Sequence, residues 1–195
     1  MSVAHLVIFT RAPRVGQGKR RLARDIGHIG AFRFQYVMVW RLMRTVGRDR
    51  RWRTWLAVTP DRSGPWPPWL SVLAQGRGSL GERMTSVLRQ LPPGPAVIIG
   101  SDIPGIRAAD VHAAFRALGS HEVVVGPARD GGYWLIGLRR PLQRIDPFAG
   151  VRWSSEHALA DTLRNFEGKR AARLRTLADV DDGEDWRRLQ RGELV

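Results

Sequence analysis

The chain has 195 residues, 43% of them hydrophobic, which is enough to bury one proper core, and no repeat or shift in composition marks a second domain, so residues 1–195 are expected to form a single domain. It contains no cysteine, which excludes disulfides and thiolate metal sites and fits a reducing cytoplasm. The net charge of +14 raises nucleic acid as a partner, yet Lys19 and Lys169 are the only lysines and the arginines are spread over the whole length. A solvated basic surface or an anionic small substrate accounts for that distribution better than a nucleic-acid-binding arm. No apolar run reaches membrane-spanning length, and the apolar part of "MSVAHLVIFTRAP" is too short for a signal peptide, so a soluble protein is expected.

In chain order, "VAHLVIF" (3–9) is a short continuous apolar run, as in a strand covered on both faces. "KRRLARDIG" then reads as a short helix ending at Gly27, followed by a longer one over 29–46 with Phe32, Tyr36, Val39, Met43 and Val46 on its apolar face. Strands are expected at "TWLAVTP" and "SVLAQ", with the Pro- and Trp-rich loop "SGPWPPWL" between them, and a helix over "LGERMTSVLRQL". The clearest strand, "AVIIGSD", precedes a helix over "AADVHAAFRAL". Strands "EVVVGP" and "YWLIGL", a helix over "SEHALADTLRNF", a strand near "ARLRTL" and a last helix over "EDWRRLQR" complete the chain. Strands alternating with helices predict an α/β three-layer sandwich with a mostly parallel sheet. Ligands of such sheets sit at the carboxyl ends of the strands, so the loops at 11–19, "SDIPG" and "GPARDGG" should share one rim.

On that rim the first candidate is "RAPRVGQGKRRL". It has the cadence of a phosphate-binding P-loop but not its fixed residues. Pro13 stands where the first glycine belongs, and Arg20 stands where a hydroxyl should reach magnesium. Asp102, at the end of a buried strand and ahead of Ile-Pro-Gly, is placed for a divalent metal or a substrate hydroxyl; the helical pattern starts only near Ala108, too far on for a simple cap. Asp130 precedes Gly131-Gly132 and reads equally well as a hairpin turn or as an acid beside backbone that can approach a ligand closely. In "LADVDDGEDW" the acids are Asp179, Asp181, Asp182, Glu184 and Asp185. Asp182 with Asp185 has the spacing of a capping box, which leaves Asp181 free to pair with Asp102 around magnesium. "QGRGSLGERM" is a second glycine-rich loop, in which Arg83 is either a phosphate contact or simply solvated.

Other residues point away from chemistry. Most of the eight tryptophans fit packing, Trp40 and Trp134 among them, while Trp66 and Trp69 are the plausible ligand or partner contacts. His5, His28, His112, His121 and His157 are dispersed and no serine lies in a G-x-S-x-G elbow, so hydrolysis through a protein nucleophile is not expected.

Taken together, "FTRAPRVGQGKRRLARDIG", "QGRGSLGERM", "IIGSDIPGI", "VVGPARDGGYWLIGL" and "LADVDDGED" resemble the radical-SAM/selenodomain-associated transferase type 1 family. That family is similar to the glycosyltransferase-A, or nucleotide-diphospho-sugar transferase, fold, with cousins among nucleotidyltransferases that activate sugars, phospholactate and molybdopterin. The resemblance implies that Arg11, Ala12, Pro13, Gly16, Gly18 and Lys19 form a nucleotide-binding loop, joined by Gln75, Gly76, Gly81, Arg83 and Ser101. Lys19 and Arg21 match the basic positions of the family's Lys-Thr-Arg-Leu, with Arg20 replacing its threonine. Asp181 matches the second acid of its Asp-Val-Asp-Thr, with Asp182 in place of the threonine. Asp102 and Asp181 would then hold Mg2+ or Mn2+, Lys19 and Arg21 would neutralise the leaving group, and Asp130 would orient or deprotonate the acceptor. The expected activity is nucleotidyl transfer to a small phosphorylated or carboxylated acceptor with release of pyrophosphate. Glycosyl transfer from a nucleotide sugar, or a non-catalytic basic binding protein on the same fold, remain the alternatives.

Overall fold

The computed structural model describes residues 3–61, 63–141 and 145–194. Seven strands form one sheet: β1 (His5–Arg11), β2 (Arg53–Thr59), β3 (Ser71–Ala74), β4 (Ala96–Gly100), β5 (Val123–Pro127), β6 (Tyr133–Leu138) and β7 (Ala171–Arg173). Their spatial order is β3-β2-β1-β4-β6-β5-β7. Every pairing is parallel except those of β6, which runs antiparallel to both β4 and β5. The expected α/β sandwich is therefore present, with one reversed strand inside a mostly parallel sheet.

Alternation along the strands sorts side chains between two cores. Leu6 and Ile8 of β1, with Val97 and Ile99 of β4, face α1 (Arg20–Thr45) and α3 (Ala108–Ala117). Val7 and Ile98, one residue out of phase, face α2 (Leu80–Gln90) and the side of α4 (Ala158–Arg164). A third cluster joins Leu22, Phe34 and Met38 of α1 to Val180, Leu194 and the last helix, α5 (Gly183–Gln190). No helix among the described residues is long and apolar enough to cross a membrane.

Several details depart from the sequence reading. The two expected N-terminal helices run on as one element, broken at Gly27, whose backbone is non-helical at φ 76 and ψ 162. Beyond Gly27, the buried face of α1 is Ala31, Phe34, Met38, Val39, Leu42 and Met43. Phe32 and the exposed Tyr36, predicted to be inward, instead flank a cleft with Trp40 and Trp66. A helix between a sheet and a further helix buries a wider stripe than one apolar line suggests, and α5 claims the side that carries Phe34 and Met38. Strand β7 is shorter than the pattern "ARLRTL" predicts, because after the Leu174 N–H bond to Val125 O the pairing with β5 is interrupted and resumes only as a bridge between Leu177 and Ala128.

Candidate active site

The rim is built by the segments leaving β1, β4, β5 and β7, and by the start of the reversed β6. After β1, Ala12 donates its backbone N–H to Thr59 O and is buried, which ties the loop to β2. The chain turns through Gly16 and Gly18, both near φ +75, and reaches Lys19 in the left-handed region at φ 40 and ψ 48. That conformation is uncommon for a residue with a side chain. Lys19 is the N-cap of α1 but makes no capping hydrogen bond; its ammonium lies 2.6 Å from Asp102 Oδ2 and 2.6 Å from Asp181 Oδ1.

The second acid reaches this point because the 177–181 segment lies against the strand ends. Leu177 N–H donates to Pro127 O, and Val180 N–H donates to Asp102 O. Asp179 and Asp181 thus flank a residue anchored to Asp102, and the three carboxylates each offer an oxygen with all of these within 4.8 Å of one another. Burial, then the charges of Asp181 and Asp102, push the Asp179 carboxyl up to about 6. Burial alone would lower the Lys19 pKa, but Asp102 and Asp181 outweigh it and hold the ammonium charged well above the ordinary lysine range. Three close carboxylates are a hard, oxygen-only donor set that suits Mg2+ or Mn2+, and the position of Lys19 among them marks where a cation is stabilised.

Two cavities meet at Asp102. The first, of about 350 Å³, is lined by Arg11, Lys19, Gln75, Arg83, Ser101 and Asp102 among others. Gln75 is fully buried; its amide nitrogen donates to Thr10 O and Ala57 O, and its Oε1 accepts from Arg83 Nη2. Arg83 Nε is buried with no hydrogen-bond partner. Burial and then the neighbouring Arg11 charge push the Arg83 guanidinium down from its ordinary value. Two guanidinium groups held near each other, one with an unused donor, are relieved by an anionic or carbonyl-bearing ligand.

The second cavity, of about 370 Å³, shares Leu80, Gly100, Asp102, Tyr133 and Trp134 with the first, and adds Asp130, Asp179, Trp153, Ser154 and Ser155. Its outer wall is fixed by Asp161, which is only 1% exposed. The Asp161 carboxylate accepts from the backbone N–H and guanidinium of Arg152, and from Arg164. Asp130 sits at the β5–β6 turn and accepts from Gly132 N–H, so the turn role is real and its carboxylate still faces the cavity.

Of the residues singled out from sequence, Arg11, Lys19, Gln75, Arg83, Ser101 and Asp102 line the first cavity, Asp130 lines the second, and Asp181 belongs to the acid cluster. Others stand elsewhere. Ala12 and Pro13 line the cleft with Tyr36 and Trp66, and Arg21 is exposed and lines neither chamber. Gly16, Gly18, Gly76 and Gly81 shape backbone instead: Gly76 N–H donates to Asp61, and a Cβ at Gly81 would lie 2.7 Å from Phe148 Cβ. Trp69 is exposed under the Arg48 guanidinium, 5.2 Å from its ring centroid. Asp182 caps α5 as expected, but Asp185 accepts from Asp181 N–H, not from the cap residue, so no reciprocal capping box forms. Two acids that the structure sets in or beside this arrangement, Asp179 in the carboxylate cluster and Asp161 under Arg152, escape the sequence reading. Alternation in "ADVDD" gives no reason to prefer Asp179, and a lone acid in a helix, such as Asp161, reads as solvated.

Among curated proteins, none matches the sequence. Over 98% of this chain and 88% of the other, the structure matches, with a TM-score of 0.91 and 27% identity, a protein of Desulfovibrio desulfuricans G20 provisionally named a nucleotide-diphospho-sugar transferase. More distant likenesses, which bear on the fold alone, include CMP:2-keto-3-deoxy-manno-octonic acid synthetase complexed with CTP, at TM-score 0.57 and 15% identity over 99% of this chain and 100% of that one. Another is Rv0371c of Mycobacterium tuberculosis H37Rv complexed with manganese, at TM-score 0.57 and 17% identity over 97% and 98%. The fold is therefore that of the nucleotide-diphospho-sugar transferases, and the DUF2064 sequence model, described as an uncharacterized protein conserved in bacteria, matches residues 42–155, so this chain belongs to the DUF2064 family.

Proposed function

We propose that the protein is a Mg2+- or Mn2+-dependent nucleotidyltransferase, a cytoplasmic DUF2064 member of the radical-SAM/selenodomain-associated type 1 kind. The observation that carries this reading is the meeting of a guanidinium-lined cavity and a second cavity at one three-carboxylate cluster. Asp102, Asp179 and Asp181 would hold the cation, which supplies charge neutralisation on the donor phosphates when bound. Arg11 and Arg83 bind the nucleotide, and Gln75 fixes the Arg83 guanidinium in place. The Lys19 ammonium lies at the junction, where it neutralises charge gathering on the departing group. In the transfer, an acceptor oxygen bonds to the α-phosphorus, the bond to pyrophosphate breaks with its electron pair leaving on pyrophosphate, and the acceptor proton passes to Asp130.

A second reading, glycosyl transfer from a nucleotide sugar, is favoured by the name of the Desulfovibrio protein. Incubation with nucleoside triphosphates and nucleotide sugars in Mg2+, with the released group separated by anion-exchange chromatography, distinguishes the two. Pyrophosphate from a triphosphate supports nucleotidyl transfer; nucleoside diphosphate from a nucleotide sugar supports glycosyl transfer; no ligand-induced rise in melting temperature with either donor class removes both.

A further inference from the structure

In a chain with 32 lysines and arginines, the second cavity is lined by none among the described residues. Its charged groups are Asp102, Asp130 and Asp179. Arg152, next to Trp153 in sequence, is turned into bonds with Asp161. The rest of the wall is uncharged, with aliphatic Leu80 and Ile103 beside aromatic and hydroxylic groups: Tyr133 and Trp153 pack with ring centroids 6.3 Å apart, and Ser154 and Ser155 follow in the chain. The first cavity, of nearly the same volume, carries Arg11, Lys19 and Arg83. A divalent cation on the cluster would satisfy Asp102 and Asp179 and still leave Asp130 facing any ligand.

From this we infer that the second cavity takes the acceptor, and that the acceptor is an uncharged or cationic polyhydroxylated molecule, such as a sugar or amino sugar, and not a phosphorylated or carboxylated one. The inference rests on the transfer reading above and replaces the anionic acceptor expected from the sequence. Aromatic faces cover the C–H surface of a pyranose, while carboxylates accept from its hydroxyl groups and serine hydroxyls both accept from and donate to them. With Lys19 and the cation occupied by Asp102, Asp179 and Asp181, a phosphate or carboxylate in the same place meets the Asp130 carboxylate with no basic side chain among the described lining residues to offset it, which is how a site rejects a wrong ligand.

The test has two parts. Calorimetric titration with nucleoside triphosphates and nucleotide sugars in Mg2+ reads the first cavity by itself, and absence of binding there sinks the transfer reading. With the tightest of those nucleotides saturating the first cavity, saturation-transfer difference NMR then compares mannose with mannose 6-phosphate, and glucosamine with glucuronate. Mannose and glucosamine are expected to bind at least about tenfold more tightly than their anionic counterparts. Asp130→Asn, which keeps an oxygen for Gly132 N–H, should narrow that gap. Ser154→Arg, which brings a cation to the wall, should reverse it for mannose 6-phosphate. Equal or tighter binding of the anionic member to the wild type, or no binding of any of the four while nucleotide binds, overturns the inference and leaves the transfer reading standing.

Discussion

The two cavities are nearly equal in volume and share one wall, yet their charges are opposite. The cations of the first, Arg11, Lys19 and Arg83, come from chain segments before Asp102. The acids added in the second, Asp130 and Asp179, come from segments after it. The reversal of β6 makes this division possible. It places β6 between β4 and the β5–β7 pair, so that the Asp130 turn and the Asp179 segment open on one side of Asp102 while the β1 loop and α2 open on the other. The difference teaches that Asp102 is a boundary as well as a ligand candidate: guanidinium and ammonium groups gather on one side of it, and carboxylates on the other.

The most damaging way to break the comparison is at the boundary. Asp102→Asn should lower Mg2+-dependent nucleotide binding and transfer by about a hundredfold or more, read by calorimetry and product release. Unchanged nucleotide affinity would favour a non-catalytic binding protein. Lys19→Met separates the residue's two tasks: transfer should fall by about a hundredfold, while Mn2+ alone should bind about tenfold more tightly because the competing ammonium is gone. Weaker Mn2+ binding in that variant would show that Lys19 shapes the cluster and does not compete for it. Arg83→Met touches only the first cavity and should weaken nucleotide binding about tenfold, with sugar binding in the second unaltered.

The smallest expected effect is structural. Gly81→Ala pushes a methyl group against Phe148 and Trp153, behind the shared wall, and should cost about 1–3 kcal/mol in denaturant unfolding. A neutral result would mean that the 146–153 loop yields easily, and that the second cavity is less rigid than its Asp161 anchor implies.

Much of the fold was legible because it rests on local pattern. A short apolar run rich in β-branched residues and closed by glycine, such as "AVIIG", fits a strand covered on both faces, and Gly27 marked the break in α1 in advance. Asp102 was legible for the same reason: an acid at the end of such a strand has few places to go. The Asp182 cap was legible in its spacing, but which N–H Asp185 would serve was not, since that depends on how α5 meets the rim.

What the sequence by itself determined was the layer architecture, the strand ends that form the rim and the acids that end there. These come from burial periodicity and from residues acting within a few positions of themselves. Only the tertiary structure decided that Lys19 would stand between Asp102 and Asp181, across sequence separations of 83 and 162 residues. It likewise decided that Asp179 would join them, that Gln75 would brace Arg83, that Arg152 would turn to Asp161, and that no lysine or arginine among the described residues would line the second cavity. Those outcomes depend on which strand neighbours which and on the direction of β6, and charge has no period along the chain from which such neighbours could be read.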